Sequence, residues 1–571
     1  MMYHLLMCVP RRRHPRKASI QTVPRPKGQV PRRKSACIQC IYIPLAFLLQ
    51  LQFFHYSTAM SFTEKVDVDA DADARAGLEK LGYKQEMTRS RGLAHILFMS
   101  LSIMAVPFGL TTPIATALIG GGPVVMIWGW ILVSVLTQTL ALSLAEICSK
   151  YPTSAGAYYW CYRLASPRTR LLASWINGWL TVVGVWISAL SVTFGTAELV
   201  VAGAGIFFPE WNATVSQTYM IFLGVTAVAS VFCIFFNRSL PTVDIICAWW
   251  TGLGLIVILV CLFSKAAAGR RSVSFALGNF DPSFSGWTPG WSFFIGLLPA
   301  AYTYSAIGMI TSMAEEVHNP SDILPKAIIS SIPIGALTGA VFILPILFTL
   351  PDVATLLQVS SGQPIGLMFS LIMGSRAGGL GLWFIIFGLG IFCSISTSCA
   401  ASRATWAFAR DKAIPFHQSF SKIGPLDDVP VNAFLLSTVI QVLLGLIYLG
   451  SPAAFNAFAG VAVMCLGASY AMPIVILLLN GRKDMQDAPF NLGRFGTVIN
   501  AVAVLWIMFA IVLFSMPAVI PVKSMNYASV VFVGFGLISA AWYMINGQYY
   551  YEGPPNPEDI SSSGSSDSVP C

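Results

Sequence analysis

Charge is what this chain has least of. Only 10% of its 571 residues are Asp, Glu, Lys or Arg, against about 25% in a water-soluble domain. Histidine is scarce too, at six, and none pair at ligand spacing. No metal site follows, and no acid–base cluster of a membrane-embedded enzyme. No Gly-rich phosphate loop ending in Lys-Ser/Thr occurs, so ATP does not drive the protein directly. No repeated filter-like loop of a channel occurs either. The twelve cysteines are scattered, mostly in apolar stretches (Cys233, Cys247, Cys261, Cys393, Cys399, Cys465), where thiols pack as small hydrophobes. Cys37 and Cys40 form a C-x-x-C with no second pair, so neither zinc nor a disulfide framework is implied. No cofactor is expected.

Apolar residues take the place of charge. They make up 56% of the chain, and the mean hydropathy is +0.70. Twelve apolar stretches lie near 93–119, 122–147, 172–204, 217–236, 242–263, 291–313, 327–350, 378–401, 431–450, 453–479, 497–516 and 525–546. A transmembrane helix needs about 20 such residues at about 1.5 Å rise each. The pattern predicts an all-α integral membrane protein of twelve transmembrane helices, a single domain over 93–546 embedded in the lipid bilayer.

The formal charge of +9 misleads. Residues 1–59 hold ten Lys and Arg and no acid; taking those ten from 34 leaves 24 bases against 25 acids. The body is near neutral, so no nucleic-acid partner is expected. The apolar run at 41–54 follows the basic residues as in a signal peptide, but 14 residues are too few to span. Met60 opens a tail with acids alternating at Asp67, Asp69, Asp71 and Asp73. This change predicts a dispensable basic extension, 1–59, upstream of the true start, and a cytosolic N-terminal tail, 60–92. After the spans comes a C-terminal tail, 547–571, whose Ser/Asp-rich end reads as disordered and open to phosphorylation.

Loop charge sets the orientation. Loops after spans 2, 4, 6, 8 and 10 carry thirteen Lys and Arg, including Arg403, Arg410 and Arg482; the other loops carry five. The positive-inside rule then puts both tails in the cytosol. The sequon at Asn212 falls in an outer loop and is a candidate for glycosylation, whereas the sequon at Asn237 falls inside.

Two spans carry matched interruptions. Span 1 contains Val106, Pro107, Phe108, Gly109, Leu110, Thr111, Thr112 and Pro113. Span 6 contains Tyr302, Thr303, Tyr304, Ser305, Ala306, Ile307 and Gly308, after Pro299. Pro removes a donor and Gly weakens a helix, so both spans are expected to break at mid-depth, five spans apart. Paired breaks point to an inverted-repeat transporter, because a broken helix in lipid must line a cavity.

Two loop motifs narrow the reading. After span 2 stand Glu146, then Pro152, Gly156, Tyr158, Tyr159 and Trp160; after span 6 stand Glu315, Glu316, Asn319 and Pro320, then Pro325 and Ala327. These resemble the motifs of the amino acid–polyamine–organocation superfamily, over about 77–545. The segments LEKLGYKQE at 78–86 and FMSLSIM at 98–104 are similar to its fungal amino acid/choline branch, which includes GABA and choline permeases.

The resemblance implies a five-plus-five inverted-repeat fold with broken helices 1 and 6. It implies a substrate site between the breaks, walled by spans 3 and 8. Half-helix N-termini suit a carboxylate, and unwound carbonyls suit an ammonium. Tyr302, Tyr304, Phe108 and, on span 3, Trp186 offer rings for a cationic head. Trp175, Trp287 and Trp291 fit an interfacial belt. Ser396 and Thr397, beside Ser394 and Ser398, are candidates for ion coupling. Span 5 lacks the Lys that replaces sodium in some proton-coupled relatives. Glu198 is the one acid well inside a span, and Asp244 is expected at the interface. Glu146, Glu315 and Glu316 are expected to hold an inner gate against Arg or Lys. The expected function is import of an amino acid or related amine, such as GABA or choline, by proton symport at the plasma membrane. A nutrient sensor and a facilitated exchanger of amino acids or polyamines are the alternatives.

Overall fold

Segments that bond their own backbone and present apolar side chains all round leave the helix as the element of choice. The computed structural model describes residues 68–359, 362–424, 428–450, 454–522 and 527–555. Among them the β structure is one isolated bridge, between Arg91 and Val317. Twelve helices are long and apolar enough to cross a membrane. Spans 1 to 6 are Leu93–Thr111, Val125–Lys150, Arg170–Phe207, Val215–Phe235, Asn237–Lys265 and Pro289–Glu316. Spans 7 to 12 are Pro320–Thr349, Arg376–Arg410, Val431–Gly450, Phe455–Leu479, Gly493–Phe514 and Ala528–Tyr550. The protein is a multi-pass membrane protein. The basic extension, the Met60 boundary, the Cys37/Cys40 pair, the run at 41–54 and the Ser/Asp-rich end lie outside the described residues.

Burial sorts the spans. The apolar windows of spans 1, 3 and 6 are 83–89% buried, and that of span 10 is 72%. Those of spans 4, 5, 9 and 11 are at most 39% buried, and span 12 only 11%. The first group is therefore enclosed by other helices, while the second turns apolar surface outward to lipid. The two interrupted spans sit at the centre.

Both interruptions are present, with shifted bounds. Span 1 breaks at Ala105, in the left-handed region at φ 36°, ψ 57°, between helices Leu93–Met104 and Val106–Thr111. The expected interruption over 106–113 is present at Thr112–Pro113, between the helices Val106–Thr111 and Ile114–Gly120, and a second break stands at Ala105, just before that range. Pro107 stands in the first turn of the second half-helix, where its missing N–H costs nothing. In span 6, Ser305 and Ala306 separate the helix Leu298–Tyr304 from a 3₁₀ segment, Ile307–Glu316. Ten residues is long for 3₁₀, whose runs are usually about 3–4.

Three further expectations change. Trp175, expected in an exposed aromatic belt, is 1% exposed, and its indole donates to the Ser539 carbonyl while Tyr543 and Tyr551 pack on it. Arg403 and Arg410, read as loop charges, belong to the helix Arg376–Arg410, because buried carboxylates face them. Asp244, expected at the interface, is buried near the start of span 5 in the same network.

Candidate functional site

Main-chain groups are released where the helices stop. The first i→i−4 bond of the half-helix Val106–Thr111 runs from Gly109 N–H to Ala105 O. The amides of Val106 and Phe108 precede it. Gly109 is needed for close approach: a Cβ there would stand 2.6 Å from the Thr303 hydroxyl. It faces span 6 rather than open space; likewise a Cβ at Gly308 would stand 2.6 Å from the Tyr470 ring of span 10. Val106, Pro107, Phe108, Leu110, Thr111, Ala306 and Ile307 are all buried around the breaks, and Ser305 is half-buried.

The two tyrosines diverge. Positions two apart on a helix lie on nearly opposite faces. Tyr302 turns to span 3, its hydroxyl 2.8 Å from Ser191 Oγ. Tyr304 turns to span 2, its hydroxyl 2.9 Å from Ser134 Oγ and its ring stacked on Trp130 at 4.7 Å. They do not cover one point together. Trp186 is buried and donates to Thr405 Oγ1 of span 8 at 2.9 Å, linking the two walls.

The face that carries the described tail segments is bridged by buried ion pairs. Arg91 Nε reaches Glu316 at 3.1 Å and its Nη1 reaches Asp244 at 3.3 Å. Arg403 Nε reaches the other Glu316 oxygen at 3.0 Å, and its Nη2 donates to Asn237 Oδ1 at 2.7 Å. Ser396 donates to Asp244 at 2.9 Å and lies 2.9 Å from Ser102 Oγ. Thr397 instead bonds back to the Cys393 carbonyl of its own helix, so the two hydroxyls proposed for ion coupling do not converge. Glu315 pairs with Arg410 at 2.9 Å, and Glu146 with Arg482 and the Leu492 amide.

The loop motifs explain themselves locally. Gly156 adopts φ 57°, ψ −129°, where a side chain is strained, and a Cβ would meet Thr311 Oγ1 at 2.9 Å. Asn319 takes the left-handed conformation that Asn tolerates, and Pro320 starts span 7. Tyr159 donates to the Leu81 carbonyl, and Pro152 lines a shallow hollow with Asn319 and Pro320. Just past span 8, Asp411 accepts from Tyr83 and Tyr158, each at 2.8 Å. Burial pushes the Asp411 carboxyl above the ordinary range, although Arg410 and both hydroxyls pull it down.

On the opposite face lies a cavity of about 760 Å³, lined by Thr112, Pro113, Glu198, Gln363, Tyr448 and Phe455, with Asn212 and Arg376 also among its lining residues. Its lining begins one residue after the half-helix Val106–Thr111. Gln363 Nε2 donates to both the Thr112 carbonyl, at 2.7 Å, and Glu198, at 2.8 Å.

With this geometry established, likeness to known proteins decides the family. The profile of the family described as amino acid permease matches residues 92–535. The chain belongs to the amino acid permease family. It is 33% identical to amino-acid permease BAT1 of Arabidopsis thaliana, over 84% of this chain and 95% of that protein. It is 31% identical to polyamine transporter TPO5 of Saccharomyces cerevisiae, over 83% and 78% of the two chains. To a choline transporter of the same yeast it is 29% identical, over 81% and 82%.

Several residues of the permease escaped the sequence. Arg91 and Asp244 looked like unrelated charges 153 positions apart. Ser191, Ser134 and Tyr470 carried no signal among many hydroxyls and rings. Gln363 lies in a loop with no motif. Only Arg91 had a cue, as the last charge before span 1.

Proposed function

We propose that the permease is a secondary active importer of an amino acid or a related amine such as GABA or choline, driven by proton symport at the plasma membrane. One observation carries this reading. Buried ion pairs close the tail-bearing face, while a cavity on the other face reaches the end of the span-1 half-helix. A transporter loaded from one side needs that asymmetry. Relatives named for polyamine and choline transport support an amine. The substrate site lies between the Ala105 break and the Ser305–Ala306 break, reached by the main chain of Val106, Phe108 and Ile307. The breaks' spacing supports a five-plus-five inverted repeat, with both tails, 60–92 and 547–571, in the cytosol.

Uptake of labelled GABA, choline, putrescine and neutral amino acids into a permease-deficient cell tests the function. Saturable uptake of at least one is expected. None, with the protein at the surface, sinks the importer reading and leaves the sensor. A glycan on Asn212 but not on Asn237, with a C-terminal reporter inside, is the matching result for topology.

A further inference from the structure

Five carboxylates in the spans are buried: Glu146, Glu198, Asp244, Glu315 and Glu316. Four of them face a guanidinium, from Arg482, Arg91, Arg410 and Arg403. Glu198 is the exception. Among the described residues the neutral amide of Gln363 donates to it, and no Lys, Arg or His forms an ion pair with it. An acid buried in a membrane span without a countercharge is costly to ionise until a cation arrives, and such residues mark pathways for ions or substrates.

We propose that the cavity above the span-1 break is a binding site for an organic cation, a primary or quaternary ammonium, and that Glu198 is its anchor. The inference deepens the importer reading, on which it rests, by naming a second site and a charge class. Three features converge there. The volume of about 760 Å³ is that of a small-molecule site. Tyr448 and Phe455 add ring faces to the same wall, and a cation held over such a ring gains electrostatically. Gln363 already holds Glu198 and the Thr112 carbonyl with one amide group. An ammonium presents N–H donors to the same two oxygens, so the arriving cation replaces that amide and takes hold of the end of the span-1 half-helix. A quaternary head lacks those donors and relies on charge and rings alone. Arg376 also lines the cavity, exposed and donating to the Phe207 carbonyl; at Glu198 itself a net anion is repelled.

The test reads the cavity independently of transport. Gly205 lines it, and a Cβ there meets nothing within 4 Å, so Gly205→Cys places a thiol on the wall without a clash. In the full-length protein in membranes, this thiol is reacted with cationic and anionic methanethiosulfonates of matched size. Rates of the chain without the substitution are subtracted. The cationic reagent is expected to react at least tenfold faster. Putrescine and choline are expected to slow it, and the neutral zwitterion alanine to slow it less. Adding Glu198→Gln should abolish both the preference and the protection; Glu198→Asp, one methylene shorter with the charge kept, should retain the preference. Equal rates for the two reagents overturn the proposal. So does protection that survives Glu198→Gln, or a preference that neither amine affects. If the Gln variant fails to reach the membrane, the rate ratio and amine protection in Gly205→Cys alone decide. Protection without uptake of any substrate would leave this site standing and remove the importer reading instead.

Discussion

At the scale of single residues, the break in span 6 assigns different work to two tyrosines that look equivalent in sequence. Tyr304 is 1% exposed and stacked on Trp130. Removing its ring opens a cavity in a packed layer, at about 3–5 kcal/mol for a large aromatic. Tyr304→Ala should therefore lower thermal stability and surface amount, leaving KM of the surviving protein little changed. Tyr302 meets Ser191, which also bonds to Ser188. Tyr302→Phe thus forfeits about 0.5–1.5 kcal/mol and should reach the surface normally, with KM raised because this side faces the span-3 wall. Uptake kinetics beside detergent melting curves separate the two; a KM effect confined to Tyr304→Ala would reverse the assignment. Asp411 supplies a pH dependence. Its carboxyl is held above the ordinary range by burial, so the folded chain binds that proton more tightly than the unfolded one. This contribution is fully present below the unfolded value and is lost as pH rises through the folded one. Across about pH 4 to 8, the melting temperature of the wild type minus that of Asp411→Asn should fall as pH rises. A constant or growing difference would show that folding does not raise the Asp411 carboxyl.

At the scale of elements, the lock on the tail face joins span 6, span 8, span 5 and the strand-like segment before span 1. Ser90 and Arg91 donate main-chain bonds to the Glu316 carbonyl, and His318 donates back to Arg91. The first half of span 1 is thereby tied to the 3₁₀ half of span 6. Deleting one member of a buried ion group costs about 3–5 kcal/mol, because the remaining charges lose their partner. Arg91→Ala should loosen this face. Cys399 is a natural reporter, buried in span 8 near Arg403 and Arg91. With the other cysteines replaced, Cys399 should react with a membrane-permeant maleimide faster in Arg91→Ala than in the parent; an unchanged rate would place the seal elsewhere. Spans and breaks could be read from sequence because hydrophobic runs, Pro107 and Pro299 act on their own neighbours. The lock could not, since Arg91–Asp244 and Glu316–Arg403 join positions 153 and 87 apart. In span 1, Pro113 marks the interruption after Thr111, whereas the break at Ala105 carries no Pro or Gly of its own: Pro107, in a first turn, promotes the helix that follows it.

For the whole molecule, the remaining issue is which gradient does the work. A permease that accumulates substrate without a nucleotide site must draw on an ion gradient or on exchange. Sodium would need a ring of converging oxygens, carbonyl or hydroxyl, with no cation already beside them. The place the sequence suggested was the hydroxyl cluster of span 8, but that place is already compensated. Ser396 donates to Asp244, Asp244 pairs with Arg91, and Thr397 bonds to its own helix. A guanidinium thus supplies the positive charge a bound sodium would bring, and a second cation beside it would be repelled. Uptake is therefore expected to persist when external sodium is replaced by lithium or potassium, and to collapse when a protonophore removes the proton gradient. Thr397→Ala should be neutral for both responses, because its hydroxyl spends its bond within span 8. Uptake that rises with external sodium and loses that dependence in Thr397→Ala would return the coupling site to span 8. Insensitivity to both treatments, with labelled substrate leaving only when unlabelled substrate is supplied outside, would make the permease an exchanger whose vestibule and lock serve substrate on both strokes.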